Sequence, residues 1–180
     1  MPVGLLGGTF DPVHNAHLAM ARAALDHLAL ERVLFLPTGA PRYRAPAVAP
    51  AADRVAMLRL AIEGEPRYAI DERELAPGHS GFTIDTLEAL GYRPVLLVGA
   101  DQYAKFETWH RWRDILALAD LAVFARPGWR ADGVRARHVP FAAMDVSASG
   151  IRARVARGEP IAGLVPGEVE AYIRREGLYR

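Results

Sequence analysis

The feature that most constrains this chain is an alternation of short apolar runs with longer amphipathic stretches. "VGLLGG" (Val3 to Gly8) reads as a brief strand closed by glycines. His14 to Leu28 then places Leu18, Ala21, Leu25 and Leu28 at helical spacing. "RVLFLP" (Arg32 to Pro37) is a second strand stopped by proline, and Asp53 to Ile62 is a helix with Val55, Leu58 and Ile62 on one face. "RYAID" (Arg67 to Asp71) is a short strand, and "TIDTLEAL" (Thr83 to Leu90) a helix closed by Gly91. "PVLLVGAD" (Pro94 to Asp101) is the most continuous apolar run and belongs mid-sheet. Gln102 to Ala119 is helical or broken helical. Strands follow at Leu121 to Gly128 and Arg137 to Phe141, then helices at Ala148 to Arg157 and Glu168 to Glu176. Such alternation predicts an α/β protein: a Rossmann-like, doubly wound parallel sheet with helices on both faces. No repeat or linker interrupts it, so a single domain over residues 1–180 is expected, with the helices from about 148 to 180 packing on it.

Composition removes several classes. The net charge of +1 gives no general pull toward nucleic acid or an anionic membrane, so neither is expected as a partner. The chain has no cysteine, which excludes a disulfide framework, a thiolate zinc site and a cysteine nucleophile. Its start lacks a basic region before a long apolar run, and no apolar stretch approaches the roughly 20 residues that span a bilayer. A cytoplasmic protein acting on small molecules is expected, and a homo-oligomer stays open.

"GGTFDPVHNAHL", from Gly7, carries the densest chemistry. A strand running through glycines into a helix is a common phosphate site of open α/β folds, where helix N-termini attract anions. There is no G-x-x-x-x-G-K-[ST], and no G-x-G-x-x-G follows the first strand. Gly7 and Gly8 would let a ligand approach the backbone closely. His14 and His17 lie three apart on one face of a helix start. Three readings stay open: imidazoles bonded to backbone, a zinc site with Asp11 as a further ligand, and a pair of donors to phosphate oxygens. The converging glycine turn and helix start favour the third.

These residues resemble the nucleotidylyltransferase superfamily, which carries a T/H-x-G-H sequence after a G-x-F-D-P turn; Ala16 stands where the family has glycine. Further segments are similar to bacterial nicotinate-nucleotide adenylyltransferases. "HSGFTIDTLEAL" is like their Y-T-I-D-T-L, with Phe82 for tyrosine, and "LLVGADQYAKFETWHRWRDIL" is like their G-A-D … W-H-R-W. "PTGAPRYR" aligns with their P-P-H-K loop, with Arg42, Tyr43 and Arg44 substituted, and "VSASGIR" with their I-S-S-T-x-I-R. The likeness runs from residue 3 to about residue 157.

The resemblance implies a nucleotidylyltransferase fold and an enzyme of NAD biosynthesis. It would transfer the adenylyl group of ATP to nicotinate mononucleotide, giving nicotinate adenine dinucleotide and pyrophosphate. His14, His17 and Arg44 would be catalytic. Gly7, Gly8, Thr9, Phe10, His14, His17, Gly99, Asp101, Ser147, Ser149, Ile151 and Arg152 would bind ATP. Phe82, Thr83, Trp109, Tyr43 and Arg44 would bind the nicotinate nucleotide. Mg²⁺ would come with ATP, without a dedicated protein cage and with no protein metal site. Ordinary roles compete at several positions: Ser147, Ser149 and Thr83 as helix caps, Trp109 as a packing residue. Alternative acceptors are nicotinamide mononucleotide and phosphopantetheine, and a non-catalytic nucleotide-binding domain is the reading from another class.

Overall fold

The computed structural model describes residues 2–39, 46–124, 136–142 and 144–180. In chain order the elements are β1 (Val3–Gly8), α1 (Asn15–Leu28), β2 (Arg32–Pro37), α2 (Ala51–Ile62), β3 (Tyr68–Ile70) and α3 (Thr83–Leu90). Then come β4 (Val95–Gly99), α4 (Ala100–Tyr103), α5 (Trp112–Leu118), β5 (Asp120–Phe124), β6 (Arg137–Val139), α6 (Ala148–Ala156) and α7 (Gly167–Glu176). The strands form one sheet in the order β3-β2-β1-β4-β5-β6, and every pairing is parallel.

The expected doubly wound sheet is therefore present, and its apolar pattern explains why. Successive residues of a strand face opposite sides. Leu6, Val95, Leu97, Ala122 and Phe124 enter one apolar layer, with Leu25 and Leu28 of α1 and Val169 and Ile173 of α7. Leu5, Leu96, Val98, Leu121 and Val123 enter the other, with Ile84 and Leu87 of α3 and Ile115 of α5. A strand buried on both faces must be apolar throughout, which is why "VLLV" has no polar alternation. No helix among the described residues is long and apolar enough to cross a membrane.

β1 pairs with β2 along its whole length, from Val3 opposite Arg32 to Gly8 opposite Pro37. Its other neighbour is β4, joined at Gly4 to Val95 and Leu5 to Leu96. Crossovers run one way from β1 to β2 and the other way to β4. The crevice beyond the carboxyl ends of β1 and β4 is thus the switch point where open α/β sheets hold ligands.

Element ends shift where a backbone rule intervenes. The strand expected through Asp101 stops at Gly99, and Ala100 begins α4, so Asp101 lies in a first helical turn. The stretch after it is broken: Phe106–Thr108 is a 3₁₀ turn, and Arg111 adopts φ 53° before α5. β5 begins at Asp120 and is described to Phe124; residues 125–128 of the expected strand lie outside the described residues. β6 ends at Val139, because Pro140 has no N–H to give the ladder. After α7, Gly177 turns the chain at φ 65°, and Leu178 N–H returns to the Ile173 carbonyl at 3.1 Å.

Gly4 serves packing. A Cβ there would meet Leu30 Cδ1 at 2.7 Å and Leu97 Cδ1 at 3.3 Å. Gly4→Ala is expected to lower stability by about 1–3 kcal/mol through overpacking. Denaturant unfolding should show a lower midpoint at unchanged slope.

Candidate active site

A cavity of about 520 Å³ opens at the switch point. Gly7, Gly8, Thr9 and Phe10 from the end of β1 line it, as do Gly99, Ala100 and Asp101 from the end of β4. His14, Ala16 and His17 enter from the start of α1, and Ser147, Ser149 and Arg152 from the start of α6. Thr83 and Trp109 close the opposite side. Segments more than a hundred residues apart thus meet at one crevice. Gly7 and Gly8 differ in purpose. A Cβ on Gly7 would meet nothing within 4 Å among the described residues and would project into open space. A Cβ on Gly8 would press on the Phe10 ring at 3.0 Å. That ring is 2 % exposed, and Phe10 is held at φ 49°.

The histidines occupy defined helix positions. His14 is the N-cap of α1 and His17 its third residue. His17 Nδ1 accepts from the His14 backbone N–H at 3.2 Å. An imidazole that accepts at Nδ1 carries its proton on Nε2, so His17 is set as an Nε2–H donor. The two rings stack with centroids 3.7 Å apart, and the Phe10 ring stands edge-on to His17 at 4.9 Å. His14 is buried, and its Nδ1 has no hydrogen-bond partner among the described residues. Burial lowers its pKa from 6.5 to about 4, so the ring is neutral at pH 7. A zinc reading finds no support in the geometry: one His17 nitrogen is already committed, and among the described residues no group of three or more His, Cys, Asp or Glu could hold a metal ion.

Beneath this corner lies a cluster that motif spacing does not announce. Asp11 is 3 % exposed. Its carboxylate accepts from Val48 N–H at 2.7 Å, Ala49 N–H at 3.1 Å and the Tyr179 hydroxyl at 2.7 Å. Arg152 Nη1 donates to the Asp11 carbonyl at 2.7 Å. Arg54, 2 % exposed, donates through Nη1 to the Thr9 and Thr38 carbonyls at 2.6 and 3.0 Å. Burial lowers the Arg54 guanidinium from its usual value, and the nearby Asp11 charge opposes that shift.

On the far wall, Phe82 is the N-cap of α3 and Thr83 its first residue. This corrects the view of Thr83 as a cap: neither residue makes a side-chain cap bond. Phe82 does not line the cavity but packs on His110, ring centroids 4.5 Å apart. Trp109 lines the cavity with its ring 5.3 Å from that of Phe106. Glu74, absent from the expected set, is also on the wall. Its carboxylate accepts from Thr86 Oγ1 at 2.7 Å, and burial pushes its pKa up.

At α6, Ser147 is the N-cap, its Oγ accepting from Gly150 N–H at 3.2 Å; Ser149 does not cap. Ile151, expected at the nucleotide, does not line the cavity; it is 1 % exposed and packs in the core. Tyr43 and Arg44, with Arg42, lie outside the described residues. Arg54, Glu74 and Tyr179 escape sequence reading because each acts through a residue distant in sequence, and no local spacing marks it.

The fold and crevice together define a Rossmann-like α/β protein whose switch point is lined by two histidines, with no P-loop sequence in the chain. Residues 5–154 match the family model described as cytidylyltransferase-like. A relative from Bordetella petrii named "Probable nicotinate-nucleotide adenylyltransferase" is 48% identical, the alignment covering 99% of this chain and 98% of that protein. One of the same name from Laribacter hongkongensis is 44% identical, over 99% of this chain and 94% of its own. Among solved structures, Plasmodium falciparum nicotinic acid mononucleotide adenylyltransferase complexed with NaAD shares the fold. Its TM-score is 0.79 at 16% identity, covering 99% of this chain and 97% of that one. The chain belongs to the cytidylyltransferase-like family and, within it, to the nicotinate-nucleotide adenylyltransferases.

The His14 environment gives an acid signature. Its folded pKa lies below its unfolded one, so the unfolded chain takes up the proton first and stability falls as pH drops. The loss is absent above pH 6.5, develops between 6.5 and about 4, and amounts to roughly 3 kcal/mol. Denaturant melts across this window should show it, and His14→Asn should flatten it.

Proposed function

We propose that this chain transfers the adenylyl group of ATP to nicotinate mononucleotide, releasing pyrophosphate. The observation that carries the reading is the convergence at one crevice of His14, His17, Arg152 and the starts of α1 and α6. The nucleophile is a phosphate whose second pKa is about 6, so it is already largely dianionic at neutral pH. It needs no general base, which fits a site without a Ser-His-Asp arrangement. Bond formation runs from an acceptor phosphate oxygen to the α-phosphorus of ATP. The α–β bridging bond breaks, and its electrons leave with pyrophosphate. The protein's task is alignment and neutralisation of the charge that spreads over phosphate oxygens.

The residues divide that task. His17 offers Nε2–H to the α-phosphate, held in place by its Nδ1 bond. His14 is neutral while the cavity is free of anions, and a polyphosphate beside it would favour its charged form. Arg152 adds a fixed cation, and the α1 and α6 N-termini offer backbone N–H groups. Gly7 leaves room for the nucleotide. Ser147 and Ser149 face the phosphates, and Asp101 faces a ribose or the metal-bearing phosphates. Mg²⁺ enters as part of MgATP. Thr83 and the first N–H groups of α3 receive the nicotinate carboxylate, and Trp109 stacks on the pyridine ring. Arg44 and Tyr43 act from the loop. Nicotinamide mononucleotide is the second reading, since its ring would fit the same place and differs only at the carboxylate.

Pyrophosphate release should be measured with MgATP and, separately, nicotinate mononucleotide, nicotinamide mononucleotide and phosphopantetheine. Release should be fastest with the nicotinate nucleotide, and none with it would sink the reading. His17→Ala should lower kcat by about a hundredfold or more with little change in ATP affinity; equal losses in both would make His17 a binding residue only. Thr83→Val should reduce the preference for the acid over the amide, and an unchanged ratio would remove it as carboxylate reader.

A further inference from the structure

The cluster beneath the phosphate corner reaches Tyr179, which lies in none of the motifs. We propose that Tyr179 is a positioning residue for the adenylyl transfer argued above: through Asp11 it keeps Arg152 available to the ATP phosphates. The inference rests on that reading of the site.

The hydroxyl of Tyr179 donates to Asp11 Oδ1 at 2.7 Å. Oδ1 also accepts from Ala49 N–H at 3.1 Å, and Oδ2 from Val48 N–H at 2.7 Å. Arg152 Nη1 is 2.7 Å from the Asp11 carbonyl but 3.7 Å from Oδ2, beyond hydrogen-bond length. The carboxylate is thus satisfied on its own side, and the guanidinium is anchored by a neutral carbonyl at the cavity edge. Without the hydroxyl, Asp11 loses one of three donors. A carboxylate short of a donor, a few ångströms from a guanidinium, closes onto it. Arg152 then neutralises Asp11 instead of phosphate.

The backbone around Tyr179 bears this out as a held conformation. Tyr179 sits at φ 66°, a region side-chain-bearing residues rarely enter unless their surroundings fix them. Gly177 at φ 65° turns the chain out of α7 and back toward α1. Burial of the phenol, with the Asp11 hydrogen bond, pushes its pKa well up, so it remains a donor at any working pH.

A control with the same bond chemistry lies seven residues earlier, within α7. The Tyr172 hydroxyl donates to Asp53 Oδ1 at 2.8 Å, the same chemistry, but neither residue lines the cavity. The experiment compares the parent with Tyr179→Phe, Tyr172→Phe, Arg152→Ala and the Tyr179→Phe/Arg152→Ala double variant. Each is assayed for pyrophosphate release from MgATP and nicotinate mononucleotide, for calorimetric binding of inorganic pyrophosphate, and for Tm. Tyr179→Phe should lower kcat/KM for ATP about tenfold and weaken pyrophosphate binding to match, the scale of one charge-assisted hydrogen bond. Tyr172→Phe should stay within about twofold on both while lowering Tm as much. In the Arg152→Ala background, Tyr179→Phe should change little, because the group it serves is gone. Equal fold-losses in both backgrounds, or a Tyr172→Phe loss matching that of Tyr179→Phe, would overturn the proposal. So would a Tyr179→Phe chain that no longer folds, since the hydroxyl would then be structural. If the parent releases no pyrophosphate, the transfer reading fails, and the pyrophosphate-binding cycle still decides the positioning role.

Discussion

Much of the site depends on one buried carboxylate. Asp11 is almost free of solvent, and an ionised carboxylate there is costly unless its oxygens are satisfied. The partners that satisfy it come from separate parts of the chain: the backbone at 48–49 and Tyr179 after α7, with the Arg54 charge nearby, while Arg152 of α6 holds the Asp11 carbonyl. Contacts to Asp11 therefore bring together α2, α6 and the segment following α7 under the corner between β1 and α1. Those contacts lie directly before the helix start that carries His14 as N-cap and His17 as third residue.

The chemistry then follows from geometry more than from reactive side chains. The crevice lies where crossovers from β1 and β4 diverge, and residues at the starts of α1 and α6 line it. An acceptor that is already an anion asks for positioning and positive potential, not proton abstraction. His14, stacked 3.7 Å from His17 and out of water, is held neutral at pH 7 by burial.

Structural solutions differ from residue to residue within a single short motif. Gly8 makes room for a protein side chain, Phe10, while among the described residues the space beside Gly7 is open. His17 is fixed by a hydrogen bond, and the His14 Nδ1 has no partner among those residues. Adjacent residues of one motif thus carry distinct physical duties, which the letters alone do not separate.

Periodicity was enough for the fold class, the parallel sheet and most element centres, because buried strands must be apolar throughout and helices must bury one face. That the corner from Gly7 to His17 lines the crevice was also legible, since glycines, the Asp-Pro turn and both histidines fall within a dozen residues at a strand-to-helix turn. Element ends drifted where a proline or a left-handed residue cut a pattern short, as at Pro140 and Arg111. What only tertiary structure decided was which residues serve the site from afar. It turned Ile151 into core, drew Phe82 back against His110, and brought Glu74 to the cavity wall. It also set Tyr179 against Asp11, 168 positions earlier in the chain. Spacing along a chain records neighbours on one helix or strand. A hydrogen bond between elements that meet only after the sheet has assembled leaves no period to read.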